Sequence, residues 1–204
     1  MTGLQTRAEH PTTLVICCGA VAREIVGIVK ANGWHHMRVE CLPAKLHNEP
    51  EALPEGVRAK IKAGRERYDH IMVLYSDCGT GGLMETMLTE EGIDGIGGAH
   101  CYEVFAGREH FKEIMAEEPG CFFLTDFLAR HFEKLVFQGL GLDRFPGLRD
   151  TYFAHYKKMI YLAQTENAEL LSFAEQAADS VGLDFEVRYT GVGGFETFLA
   201  ARQP

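Results

Sequence analysis

The chain has 204 residues, a formal net charge of −9, 46% hydrophobic and 24% charged residues. A chain of this size buries about 70% of its unfolded surface, so neither disulfides nor metal are needed for it to fold, and its composition excludes a disordered polymer. The acidic balance argues against a nucleic-acid groove, and no apolar run reaches the roughly 18–20 residues of a membrane span.

Residues 1–12 (MTGLQTRAEHPT) read as a flexible leader without the apolar core of a secretory signal, which points to the cytoplasm. Thr13–Cys18 is a continuous apolar run, as expected of a strand buried on both faces. Gly19 follows, and Val21–Ala31 has helical spacing up to Asn32-Gly33. Met37–Leu42 is a second strand, Pro43–Pro54 a proline-framed loop, and Glu55–Tyr68 a polar helix. His70–Ser76 is a third strand. The Gly-rich turn Asp77–Gly82 leads into a helix over Leu83–Glu91. A fourth strand is predicted over Ile96–Tyr102, then a helix over Phe105–Glu117 ended by Pro119-Gly120. Cys121–Leu124 is a short strand, and Thr125 or Asp126 caps a helix over Phe127–Phe137. A helix at Leu148–Lys157, a buried strand at Met159–Ala163, an amphipathic helix at Asn167–Val181, a strand at Leu183–Tyr189 and a last helix at Phe195–Ala201 complete the series. This βα rhythm predicts a largely parallel sheet with helices on both faces, an α/β three-layer Rossmann-like fold, and residues 13–204 read as one domain.

The six cysteines are read as thiols, because no secretion signal accompanies them and no C-x-x-C occurs. Their placement is informative. Cys18, Cys78 and Cys101 fall at predicted strand ends, where open parallel sheets bind ligands. His47 lies in the loop after strand two. Thiolates and imidazole are ligands for zinc or another divalent metal, so His47, Cys78, Cys101 and Cys18 are the candidate metal set. Glu103, Asp77 and His100 are the candidate proton-handling or orienting groups. Gly79, Gly81 and Gly82 form a turn that lets a ligand approach the backbone, and its N–H groups suit an anion or thiolate. It is neither a Walker loop nor a G-x-G-x-x-G fingerprint. The same residues allow a metal-free site with Cys78 as nucleophile and His47 or His100 as base. A cysteine in a strand is otherwise core filler, and Cys121 is assigned to the core.

The segments ICCGAVAREI, LPAKLHNEP, YSDCGTGGL, GAHCYEVFAG, FFLTDFLARHF and GLGLDRFPGLRDTYFAHYKKMIYLAQT resemble an uncharacterised bacterial and archaeal family called domain of unknown function 1638. The resemblance covers nearly the whole chain. It implies an association with corrinoid-dependent methyltransferase systems of one-carbon metabolism. The expectation is therefore a zinc–thiolate enzyme of methyl transfer acting on a small-molecule substrate. The alternative is a non-enzymatic accessory protein that binds a metal or corrinoid for a methyltransferase partner.

Overall fold

The computed structural model describes residues 12–203, so the leader expected over 1–12 lies, apart from Thr12, outside the described residues. In chain order the elements are β1 (Thr13–Cys18), α1 (Ala22–Ala31), β2 (Met37–Leu42), two single-turn helices (Ala44–Asn48 and Pro50–Ala52), α2 (Leu53–Arg65), β3 (His70–Leu74) and α3 (Leu83–Glu91). There follow α4 (Cys101–Ala106), α5 (Arg108–Glu117), β4 (Cys121–Leu124), α6 (Asp126–Phe132) with a π turn at Glu133–Phe137, α7 (Leu148–Tyr152), β5 (Lys158–Ala163), α8 (Ala168–Val181), β6 (Asp184–Tyr189) and α9 (Gly194–Ala200).

The sequence reads 13–204 as one domain. The described residues gather into two compact units, one formed by 12–101 with 195–203, the other by 102–194. In the first unit the strands are parallel in the order β2-β1-β3. β1 is central, and all six of its residues are buried. Burial of each such aliphatic side chain is worth about 1.5–3 kcal/mol. Ile25 and Ile28 of α1 and Leu53, Val57 and Ile61 of α2 supply the helical cover. On the outer face of α2, Arg58 bonds Glu55, Glu90 and Glu91, tying α2 to α3. The pairing Cys17 with Cys41 and Cys17 with Leu74 brings the carboxyl ends of all three strands to one edge.

The second unit repeats the plan with the parallel order β4-β5-β6. Met159 to Ala163 of the central β5 are buried. Leu170, Ala174, Ala177, Ala178 and Val181 form the inward face of α8. Asn167 caps that helix by accepting from the N–H groups of Glu169 and Leu170, and Gly182 ends it in the left-handed conformation. At the carboxyl ends of β4 and β5, the buried Asp126 accepts at Oδ1 from Tyr161 O–H (2.7 Å) and Gln164 N–H (2.8 Å). Its Oδ2 accepts from Thr165 O–H (2.6 Å). Both units are thus α/β with all-parallel sheets, consistent with a Rossmann-like three-layer fold.

The departures from expectation have local causes. No strand forms over Ile96–Tyr102, since Gly97 and Gly98 take positive φ (70° and 87°), and only a bridge between Val73 and Gly95 remains. Cys101 instead opens α4. The single helix expected over Phe105–Glu117 breaks at Gly107, whose φ is 82°. The helix after Thr125 loosens into the π turn, and the one from Leu148 ends at Tyr152.

Candidate functional site

Cys18, His47, Tyr75, Ser76, Cys78 and Cys101 line one cavity of ≈ 10 Å³ in the first unit, beyond the carboxyl ends of β1 and β3. They are delivered by four pieces of local structure: the end of β1, the Ala44–Asn48 turn, the segment after β3 and the loop that leads to Cys101. Cys18 is the last residue of β1 and accepts from Ala20 N–H (3.3 Å). Gly19 follows, and its N–H donates to Leu42 O (2.8 Å). A Cβ on Gly19 would stand 3.0 Å from that carbonyl and 3.2 Å from Ala44 N, so glycine permits this close passage of two backbones. The passage brings in the Ala44–Asn48 turn, which presents His47. The His47 Nδ1 is 3.1 Å from Ala44 O and 3.7 Å from Cys18 Sγ.

Cys78 comes from the turn after β3. Its φ is 47°, which makes it the one residue other than glycine with a positive φ among the described residues. Its N–H donates to Ala99 O (3.0 Å), and Asp77 N–H donates to Gly98 O (2.9 Å). These two bonds dock the Gly97-Gly98 loop and place His100-Cys101 beside Cys78. Cys101 thus arrives by loop pairing rather than at a strand end. Its Sγ is 3.4 Å from His100 Nδ1, and the rings of His47 and His100 are 6.5 Å apart.

The electrostatics follow from this packing. Cys101 and then His47 bond to the Cys78 sulfur and hold its pKa far below the thiol range, to about 4, against the opposing effect of burial. Cys101, bonded to that sulfur and buried, is pushed up and stays a thiol. Bonds to Cys18 and Cys78 raise His47 to about 10. Burial lowers His100. All three shifts point the same way, favouring the thiolate at Cys78, the imidazolium at His47 and the neutral thiol at Cys101.

Other expected participants are engaged elsewhere. Asp77 accepts from Thr80 O–H (2.5 Å) and from the N–H groups of Gly82 (2.7 Å) and Gly81 (3.1 Å), and these bonds lower its pKa, Thr80 most. The donors of the Gly79–Gly82 turn are thereby directed at Asp77. Glu103 belongs to the second unit and pairs with Arg108 (2.9 Å). Cys17 is wholly buried in the core, Cys41 is exposed, and Cys121 donates to Glu118 O (3.0 Å). Among the described residues, no three His, Cys, Asp or Glu side chains are grouped so as to hold a metal ion as they stand. The donor set is soft, but its members pack as hydrogen-bond partners.

Sequence reasoning missed Tyr75 and Ser76. Their position at the carboxyl end of the third strand was the signal available. A larger groove of ≈ 490 Å³ lies at the amino end of β3, where Arg65 and Glu91 are paired at 3.1 Å. It lacks the meeting of nucleophile and base that marks the thiol cavity.

A comparison with curated proteins finds no match. A comparison with solved structures finds none either. A family model described as protein of unknown function (DUF1638) matches residues 41–199. With its Cys78–Cys101 segment and most of its length inside that match, the chain belongs to this family.

Proposed function

We propose that the chain is a thiolate–imidazolium enzyme that attacks an electrophilic carbon, with Cys78 as nucleophile and His47 as its charge partner and proton donor. The observation that carries the reading is the backbone of Cys78. A non-glycine residue held at φ 47° is a conformation that persists where surrounding structure enforces it, and such residues concentrate at reactive sites. Here the enforced turn aims a sulfur at His47 and Cys101. The placement in one-carbon metabolism, and a corrinoid protein or methyltransferase as partner, come from the resemblance.

A second reading is favoured by the chemistry of the donors. Three sulfurs and one imidazole surround a cavity of ≈ 10 Å³, a volume suited to a single ion or water. In that reading Cys18, His47, Cys78 and Cys101, which are not grouped for a metal as they stand, draw together to hold zinc or another soft divalent ion, and Ala44 O orients the His47 ring. An accessory role in delivering metal would use the same residues.

The test is iodoacetamide labelling at about pH 5–6, where ordinary thiols are protonated. The protein is purified without chelator or histidine tag, labelled sites are mapped by mass spectrometry, and metal content is measured on the same sample. Cys78 is expected to label first and Cys78→Ser to remove that labelling. Labelling of Cys78 no faster than Cys41 overturns the reading. Stoichiometric metal whose removal exposes Cys78 to label selects the second.

A further inference from the structure

The thiol cavity has a feature that neither a bare thiolate nor a methyl group accounts for. Tyr75 and Ser76, the two residues after β3, are 2% and 3% exposed. Among the described residues, the hydroxyl of each is buried and has no hydrogen-bond partner. Tyr75 lies beside the Cys18 sulfur but outside hydrogen-bond geometry with it. Both side chains line the same cavity as Cys78, whose ≈ 10 Å³ is the space of about one oxygen atom with its hydrogens. Most buried hydroxyls are paired, so two unpartnered ones on residues that line one small cavity leave a polar occupant to be supplied. Each hydroxyl carries one donor, and a carbonyl oxygen with two lone pairs can accept both. A methyl group accepts neither.

We propose that this cavity receives one oxygen atom of the substrate, held by the hydroxyls of Tyr75 and Ser76, so that the electrophile attacked by Cys78 is a carbonyl carbon. The inference rests on the thiolate reading above and narrows its substrate to acyl or formyl compounds. In the first step the Cys78 sulfur supplies an electron pair to the carbonyl carbon, forming a C–S bond. The C=O π pair moves onto oxygen, where the two O–H groups donate to the growing negative charge. The oxygen then re-forms the double bond and the leaving group departs with the C–X bond pair, taking the proton of His47. A Cys78 thioester and the neutral leaving group HX remain. Water completes the cycle by adding to the thioester, which releases the carboxylic acid and restores the sulfur.

The experiment compares two probes on the intact protein. p-Nitrophenyl acetate presents a carbonyl carbon, and acyl-Cys78 is followed by mass spectrometry together with nitrophenolate release. Iodoacetamide reacts at a tetrahedral CH₂ that carries no oxygen. Tyr75→Phe and Ser76→Ala are each expected to slow acylation at least about tenfold while alkylation stays within about twofold. Unchanged acylation overturns the proposal, as does a parallel fall in both rates. If wild-type protein alkylates at Cys78 but never acylates, the oxygen pocket fails and the thiolate stands. If it does neither, the thiolate reading itself fails. A crystal structure of acylated protein sharpens the outcome: an ordered water still held by both hydroxyls, with the acyl oxygen elsewhere, overturns the assignment.

Discussion

The carboxyl edges of the two parallel sheets are built from the same parts and finished differently. In the second unit, Asp126 is buried, yet its two oxygens accept three hydrogen bonds, from Tyr161, Gln164 and Thr165. Its own N–H donates to Gln164 Oε1 (2.7 Å), and Gln164 Nε2 donates onward to Leu162 O. Donors and acceptors there are matched within the chain. At the carboxyl edge of the first unit, three sulfurs and an imidazole share a few bonds, the hydroxyls of Tyr75 and Ser76 have no partner among the described residues, and the non-glycine residue Cys78 is held at positive φ. A closed polar network specifies structure, while an edge with unsatisfied donors leaves bonds to be made to solvent or to a ligand. Burial is similar at both edges, so matching rather than burial distinguishes them.

The largest expected effect is on the closed edge. Asp126→Ala removes the acceptor of two buried donors, Tyr161 O–H and Gln164 N–H, and of the exposed Thr165 hydroxyl, and a loss of roughly 2–4 kcal/mol is expected in denaturant unfolding. A loss under about 1 kcal/mol would show that the network is not what holds this edge. On the other edge, Gly19→Ala drives a Cβ against Leu42 O and Ala44 N, and about 1–3 kcal/mol is expected to be lost. The shift of the His47 turn should also slow Cys78 alkylation. Unaltered stability and reactivity would mean that the two backbones can part freely.

Two tyrosine variants set the edges directly against each other. Tyr161→Phe leaves Asp126 short of a donor and should lose about 1 kcal/mol. Tyr75→Phe removes a hydroxyl that bonds to nothing in the described chain, and stability should stay level or rise by up to about 1 kcal/mol. Equal losses in thermal or denaturant melts would erase the contrast.

The smallest expected effect is an absence of change. The Cys78 thiolate persists above about 4, and the His47 imidazolium persists below about 10. The pair is therefore charged between these limits. Its contribution to stability is full between about 6.5 and 9, the ordinary imidazole and thiol values, and is lost progressively as pH falls from there through the lower limit or rises through the upper one. Alkylation of Cys78 should run flat from about pH 5 to 9, while glutathione under the same conditions climbs about tenfold per unit below its thiol pKa. A climbing profile for Cys78 would put a proton on its sulfur at neutral pH.

Much of this was legible in the residues. Continuous apolar runs at Thr13–Cys18 and Met159–Ala163 gave the two central strands, because strands covered on both faces lose alternation. Strand-end placement drew attention to Cys18, Cys78 and His47, since a parallel sheet brings its carboxyl ends together. Other features depended on contacts that no local pattern records. Cys101 reaches the cavity through backbone bonds between Asp77-Cys78 and Gly98-Ala99, which spacing alone presents as a strand. The glycine turn looked like an anion cradle, but a side chain one residue upstream of Cys78 takes its N–H groups. Whether a hydroxyl such as those of Tyr75 and Ser76 finds a partner is a property of the packed interior.

The left-handed turn at Cys78 has an evolutionary consequence. At that φ a residue with a Cβ is disfavoured by about 1–2 kcal/mol relative to glycine, and Gly79 and Gly81 nearby show the residue such a turn prefers. Cys78→Gly should therefore relax the backbone, and drift toward stability alone would carry the position there. A sulfur kept against that drift makes the position a natural gauge of selection. Chains that have abandoned the chemistry should be recognisable by glycine, asparagine or aspartate at this turn, in a fold otherwise intact.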